Sequence, residues 1–266
     1  MMFKKSVLIL IAAIFASFCV AGADQANKIE SEKHIGNISY TSLVPGTVVF
    51  SPDGNHFAYI IKIDNGTKAM VLDGITGPKY NNITLIRFSP NSQNYAFAAI
   101  LGRKMLTILD GNEGSRYDGV GVPVTFSPDS NHSAYAARLN NSTFMRVDGK
   151  EMDRFDDVKA FLFGPKGDHF AYIATQGDNQ FVVSNNQKGP NFDKIIYLEY
   201  NSDGSHLAYI VHDLFFKTQF VVLDGTKGKE YDAVTLINNS LFDSKGNLHY
   251  ISEKGPDVYK VETSLA

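Results

Sequence analysis

The chain is poor in the residues that usually carry chemistry or cross a bilayer. Its single cysteine is Cys19, and that residue falls in a stretch that reads as a secretory signal. Lys4 and Lys5 precede a nearly continuous apolar run from Ser6 to Phe18, and Ala21-Gly22-Ala23 supplies the small residues a signal peptidase needs. Cleavage after Ala23 is expected, leaving 243 of the 266 residues with no disulfide and no thiol nucleophile. The apolar run is too short and wrongly flanked for a bilayer, so no integral span is expected after cleavage. Phe18 stands where a lipoprotein signal wants a small residue, which argues against a lipid on Cys19. There is no sustained basic run, and loss of Lys4 and Lys5 takes the formal charge from −3 to −5, so nucleic acid is excluded as a partner. No segment carries a helical apolar period. No catalytic triad, metal-ligand cluster or phosphate loop stands out, and no cofactor is implied.

What the chain does have is repetition. Residues 24–34 are polar and read as a short leader without core contacts. After it comes Phe50-Ser51-Pro52-Asp53-Gly54-Asn55-His56-Phe57-Ala58-Tyr59, a phrase that returns with its leading aromatic at Phe88, Phe126, Phe163, Tyr200 and Phe242. The spacing stays near forty residues, which marks an array of supersecondary units. Each unit parses the same way. A first strand ends at the leading aromatic, a Ser-Pro-Asp-Gly type turn reverses the chain, and an Ala-aromatic strand follows whose continuous apolar run suggests burial on both faces. A third strand stops at Asp73-Gly74, Asp110-Gly111, Asp148-Gly149, Asn185-Asn186 or Asp224-Gly225, residues that accept positive φ. Seven residues after each Asp or Asn an aromatic (Tyr80, Tyr117, Phe155, Phe192, Tyr231) begins a short outer strand.

Four-stranded antiparallel units of this length, stacked face to face, are blades. The recurring Ala58, Ala96, Ala134, Ala171 and Ala208 then sit where a neighbouring blade must approach closely. The expected fold is all-β: one domain over residues 35–266, a six-bladed β-propeller of four-stranded antiparallel blades. Five units are complete. The sixth, from Phe242 to Val261, lacks its outer strand, and Ile35 to Tyr40 is expected to supply it, closing the ring by pairing the two terminal segments near Ile38 and Tyr40.

The Phe-Ser-Pro-Asp-Gly-x-x-x-Ala-Tyr phrase with its downstream Asp-Gly resembles the WD-repeat-like units of TolB-type propellers and of the propeller domains of prolyl oligopeptidase-type peptidases. The resemblance covers essentially the whole mature chain and implies the fold far more specifically than a function, since such propellers dock proteins, bind ligands or gate attached enzymes. The chain departs from TolB in lacking room for the extra amino-terminal α/β domain. It departs from the peptidases in lacking a hydrolase domain and a Gly-x-Ser-x-Gly elbow.

Repeated polar residues are expected to serve the scaffold. His56, His132, His169 and His206 recur at one repeat position that a closed array spreads apart, so they cannot converge on a metal and are read as bonding their own turns. The Asp-Gly carboxylates are read as turn chemistry. Asp118, Asp156, Asp193 and Asp232, with Asn81 in the first unit, are read as a solvated rim. Departures from the repeat are more telling. In the loops between strands two and three, His212-Asp213-Leu214-Phe215-Phe216-Lys217 is apolar where the others are polar, making Leu214, Phe215 and Phe216 either an exposed contact patch or packing for a neighbouring loop. Arg103, Lys104 and Arg138, from adjacent units, form either a small anion-attracting cluster on the same face or scattered solvated charges. Several Asn-x-Ser/Thr triplets, Asn37 among them, are glycosylation acceptors only in a eukaryotic secretory pathway.

The expectation is an exported, periplasmic or extracellular, non-enzymatic propeller that docks another protein or an envelope component. The alternative is a small-ligand-binding or catalytic ring, lactonase-like or lyase-like, with Arg87, Lys159 and Glu199 at the mouth of a central channel. A purely structural, accessory role is the third reading.

Overall fold

A computed structural model describes residues 32–121 and 124–265. The expected signal peptide at 1–23 and most of the leader lie outside the described residues. Every strand lies within Ile35–Ala266. The described residues contain no α-helix, and none of their segments is a helix long and apolar enough to cross a membrane.

Six antiparallel sheets follow one another in chain order, each with its strands in sequence order. The first consists of Val49–Phe50, Phe57–Lys62, Lys68–Leu72 and Ile75–Tyr80. In the second and third the inner strand is broken into two pieces that pair with the same neighbour: Asn82–Ile83 with Arg87–Phe88, and Gly119–Val120 with Thr125–Phe126. The pieces lead into Tyr95–Leu101, Lys104–Leu109 and Asn112–Glu113, and into Ser133–Leu139, Ser142–Val147 and Lys150–Phe155. The fourth sheet holds Asp157–Phe163, Phe170–Gln176, Asn179–Ser184 and Gln187–Lys188; the fifth Lys194–Tyr200, Leu207–Asp213, Thr218–Leu223 and Thr226–Lys227. The sixth has three strands, Ala233–Leu236, Leu248–Lys254 and Asp257–Thr263.

Consecutive sheets share their cores. Ala58, Ile60 and Met70 meet Phe97, Ala99 and Leu106 between the first and second, and Ala171, Ile173 and Val182 meet Tyr209, Val211 and Phe220 between the fourth and fifth. The five repeat alanines are each at most 1% exposed, so the close approach expected of them is observed. In the first, second, fourth and fifth sheets both faces of the second strand are buried, so its apolar run is continuous rather than alternating, whereas Ser133–Leu139 and Leu248–Lys254 are buried only in part.

The turn between strands one and two explains its own sequence. Ser51 Oγ donates to Asp53 Oδ1 (2.6 Å) and accepts the His56 N–H (3.0 Å), and Ser127 repeats this with Asp129 (2.5 Å) and His132 (2.9 Å). Ser92 and Ser130 hold φ of 66° and 65° where other turns use glycine, a backbone cost. In return their Oγ atoms accept the Asp53 and Asn91 N–H of the preceding sheet's turn, both at 3.0 Å.

The closing strand expected from Ile35 to Tyr40 is not formed. Among the described residues that segment contains no strand and no ladder joins it to the sixth sheet. Ile35, Ile38, Leu43 and Val48 instead cover the outer face of the first sheet, against Phe57, Tyr59, Ile61 and Val71. The face of Phe57–Lys62 buries these side chains among aromatic neighbours, whereas Asp257–Thr263 is exposed along nearly its whole length.

Candidate functional site

Antiparallel order puts the Ser-Pro-Asp and Asp-Gly turns at one end of each sheet and the strand-two-to-three turns, with the links between sheets, at the other.

At the first end the histidines and carboxylates prove to be one device. Asp73, Asp110, Asp148 and Asp224 sit at φ of 48–49°, and their Oδ1 atoms accept the N–H of Phe57, Tyr95, Ser133 and Leu207 at 2.7–2.9 Å. Their Oδ2 atoms face His56 Nδ1 (2.7 Å), Asn94 Nδ2 (2.8 Å), His132 Nδ1 (2.6 Å) and His206 Nδ1 (2.6 Å). The histidines thus reach the end of the third strand rather than only their own turn. The fourth sheet breaks the pattern: Asn185 replaces the Asp, and His169 pairs with Asp168 (2.5 Å) while its ring stands edge-on to Tyr200, 4.6 Å away.

At the other end the solvated rim is also a set of clamps. Asn81, Asp118, Asp156, Asp193 and Asp232 accept the backbone N–H of Gly102 (2.7 Å), Asn140 (3.0 Å), Gly177 (2.7 Å), Leu214 (2.9 Å) and Gly255 (2.7 Å). Each carboxylate or amide at the start of a sheet fixes the far turn of the same sheet. All five are exposed, as expected of a solvated rim, and each also satisfies a backbone donor.

The clamps place the candidate residues. Lys104 Nζ lies 2.6 Å from Asp118 Oδ1. That bond, then the Asn140 N–H, holds the Asp118 carboxyl below the usual carboxylate range, with Arg138 contributing at longer range. Lys104, Arg138 and the acid between them are therefore brought together, while Arg103 is exposed in the neighbouring two-residue turn. Their positive charge is partly cancelled by Asp118. In the fifth sheet, 214–217 forms a four-residue turn. Leu214 N–H is held by Asp193, Phe216 N–H donates to Asp213 Oδ1 (2.8 Å), and Lys217 adopts φ of 56°. Leu214, Phe215 and Phe216 are 54%, 83% and 68% exposed, and the two rings meet edge-to-face at 4.9 Å. His212 is half-buried beneath them, paired in register with Lys194. The structure does not bring this tip into contact with the Arg103, Lys104 and Arg138 group.

Of the alternative set, Arg87 and Lys159 are exposed on inner strands. Glu199 is occupied: it accepts Ser240 Oγ (2.8 Å), Leu241 N–H (2.8 Å) and Tyr197 OH (3.1 Å), anchoring the insertion before Phe242. Burial and then Glu199 push the Tyr197 phenol up to about 12. Sequence reasoning missed this anchor because Glu199 has no counterpart in the other repeats. Among the described residues no group of three or more His, Cys, Asp or Glu could hold a metal ion.

Sheet order and repeat turns invite one comparison. The chain is similar to TolB-type propellers. TolB from Acinetobacter baumannii aligns at 16% identity over 82% of this chain and 60% of that one, with a TM-score of 0.39; the chain thus spans less than two thirds of that protein. The β-propeller domain of the trilobed protease from Pyrococcus furiosus aligns at 11% identity, over 80% and 79% of the two chains, with a TM-score of 0.42. An oligogalacturonate lyase in complex with manganese aligns at 11%, over 82% and 76%, with a TM-score of 0.41. No protein-family model and no curated protein matches the chain. At such identities none of these proteins lends this chain a function.

Proposed function

We propose that the protein is an exported, non-catalytic docking module whose six sheets are propeller blades and whose loop end binds another protein or an envelope component. The observation that carries this reading is the tip Leu214-Phe215-Phe216: three adjacent large apolar side chains, exposed, on a turn whose backbone is fixed by Asp193 and Asp213. A rigid apolar tip loses little conformational freedom on binding, and burying each phenylalanine contributes roughly 1.5–3 kcal/mol. Arg138, two sheets away, and Arg103 and Lys104, three sheets away, lie at the same end of their sheets. Occupation of Glu199 by Ser240 and Leu241 weighs against the channel-mouth alternative, since an acid or base must be free to meet substrate.

The test is crosslinking with mass spectrometry on cells making the protein, comparing wild type with Leu214→Ser/Phe215→Ser/Phe216→Ser after circular dichroism confirms the fold. Loss of one specific partner in the variant is the expected result. An unchanged set of partners would overturn the reading and direct attention to Arg87 and Lys159.

A further inference from the structure

A second surface, separate from the loop tip, lies at the sixth sheet. Five sheets carry a fourth strand; in the sixth, among the described residues, no strand pairs with the outer side of Asp257–Thr263, and Val258 and Tyr259 are 67% and 44% exposed. The outer segment of the fifth sheet flanks this place and makes it a groove. One cavity of about 670 Å³ runs between Lys229 and Tyr231 on one side and Tyr259, Lys260 and Val261 on the other. A second, of about 510 Å³, lies between Val221 and Leu223 and the pair Val261 and Thr263. Between the first and second sheets the matching place is filled. There Glu113, in the fourth strand, accepts the Tyr80 hydroxyl (2.9 Å), and the remaining cavity is about 40 Å³.

The chain's own outer strands show what this slot accepts. Glu113, Glu151, Lys188 and Lys227 pair with the third strand, and each is followed four residues later by an aromatic: Tyr117, Phe155, Phe192 and Tyr231. In three of these a glycine comes next. Gly114, Gly189 and Gly228 donate N–H to Thr107, Val182 and Val221 carbonyls at 2.8–2.9 Å, and a Cβ there would sit 2.9–3.1 Å from those oxygens. By register, Val261 stands where Val222 stands in the fifth sheet, and Lys260 where Val221 does.

We propose that this slot takes one extended segment of a partner protein, antiparallel to Asp257–Thr263, with an acidic residue opposite Val261, glycine next, and an aromatic four residues beyond the acid. Strand addition supplies affinity through main-chain bonds, and the alternate side chains supply specificity. The acid is favoured because Tyr231 lines the slot as Tyr80 lines the filled one.

The probe is a fluorescein-labelled peptide copying residues 110–118 of this chain, titrated against the full mature protein by anisotropy, beside versions carrying Gln for Glu113 and Val for Gly114. Saturable binding of the copy, with the Val version failing, is expected. Val258→Pro is expected to weaken binding about tenfold while leaving the fold intact, because Val258 matches Gln219, whose N–H donates outward to the Tyr231 carbonyl (2.7 Å), and proline is tolerated on an outward-facing edge. Tyr231→Phe, which leaves the backbone untouched, is expected to erase the preference for Glu over Gln. Equal binding of all three peptides, no binding, or a self-associated dimer that the peptide cannot displace would overturn the proposal.

Discussion

The two ends of the third and fifth sheets use the same bond, a carboxylate accepting a backbone N–H, for different purposes. At the Ser-Pro-Asp end the acceptor closes a turn against a His or Asn partner, as Asp148 does with Ser133 and His132, and turn lengths stay almost constant. At the loop end the acceptor sits immediately before the first strand and pins a turn 21–23 residues later, as Asp193 pins Leu214. A clamp that holds only the first N–H of a turn leaves the rest of that turn free to vary. The lesson is that variability, and with it recognition, is permitted where anchoring is by a single bond.

Four measurements sharpen or break that contrast. Asp148→Ala removes a charged acceptor from the Ser133 N–H and is expected to cost about 1.5–3 kcal/mol in urea unfolding; a change under about 0.5 kcal/mol would make the two ends equivalent. Asp193→Ala is expected to cost less, about 1 kcal/mol, but to speed amide exchange at Leu214 selectively, read by hydrogen exchange. Leu214→Ser/Phe215→Ser/Phe216→Ser is expected to leave stability within about 0.5 kcal/mol, since the tip supports no core; a larger loss would mean these side chains pack in the folded protein.

The smallest effect is that of pH. Asp53, Asp129 and Asp203 lie below the usual carboxylate range, held there first by the hydroxyls of Ser51, Ser127 and Ser205. A carboxylate depressed in the fold and normal in the unfolded chain adds stability above about pH 4 and loses it as pH falls further. Melting temperature is expected to hold from about pH 7 to 5 and decline below 4, less steeply in Ser51→Ala/Ser127→Ala. Tyr80, Tyr172 and Tyr209 are raised, chiefly by burial, to about 12. Their contribution, complete below about pH 10, is lost as pH climbs from there toward 12.

The repeat made the sheets legible. Phe50, Phe88, Phe126, Phe163, Tyr200 and Phe242 mark each inner strand end or its approach, and Ala58 and its equivalents mark the contact between sheets. Closure was not legible, because Ile35 and Ile38 carry an apolar pattern that suits an edge strand and a covering segment equally. The clamp role of Asp118, Asp156, Asp193 and Asp232 was hidden for another reason: its partners lie across a strand pair, and only register brings them together. The tip at Leu214 to Phe216 was legible as an exception, but its exposure was not, since a four-residue turn and a lengthened strand share one composition.

Among the described residues the cores join consecutive sheets, so stability passes along the array from neighbour to neighbour. The first sheet has a covering on its outer face; the sixth has three strands and a cavity where it faces the fifth. Thermal opening is therefore directional: the sixth sheet frays first, the fifth next, and a strand lodged beside Asp257–Thr263 would act as a brake on unravelling of the whole chain.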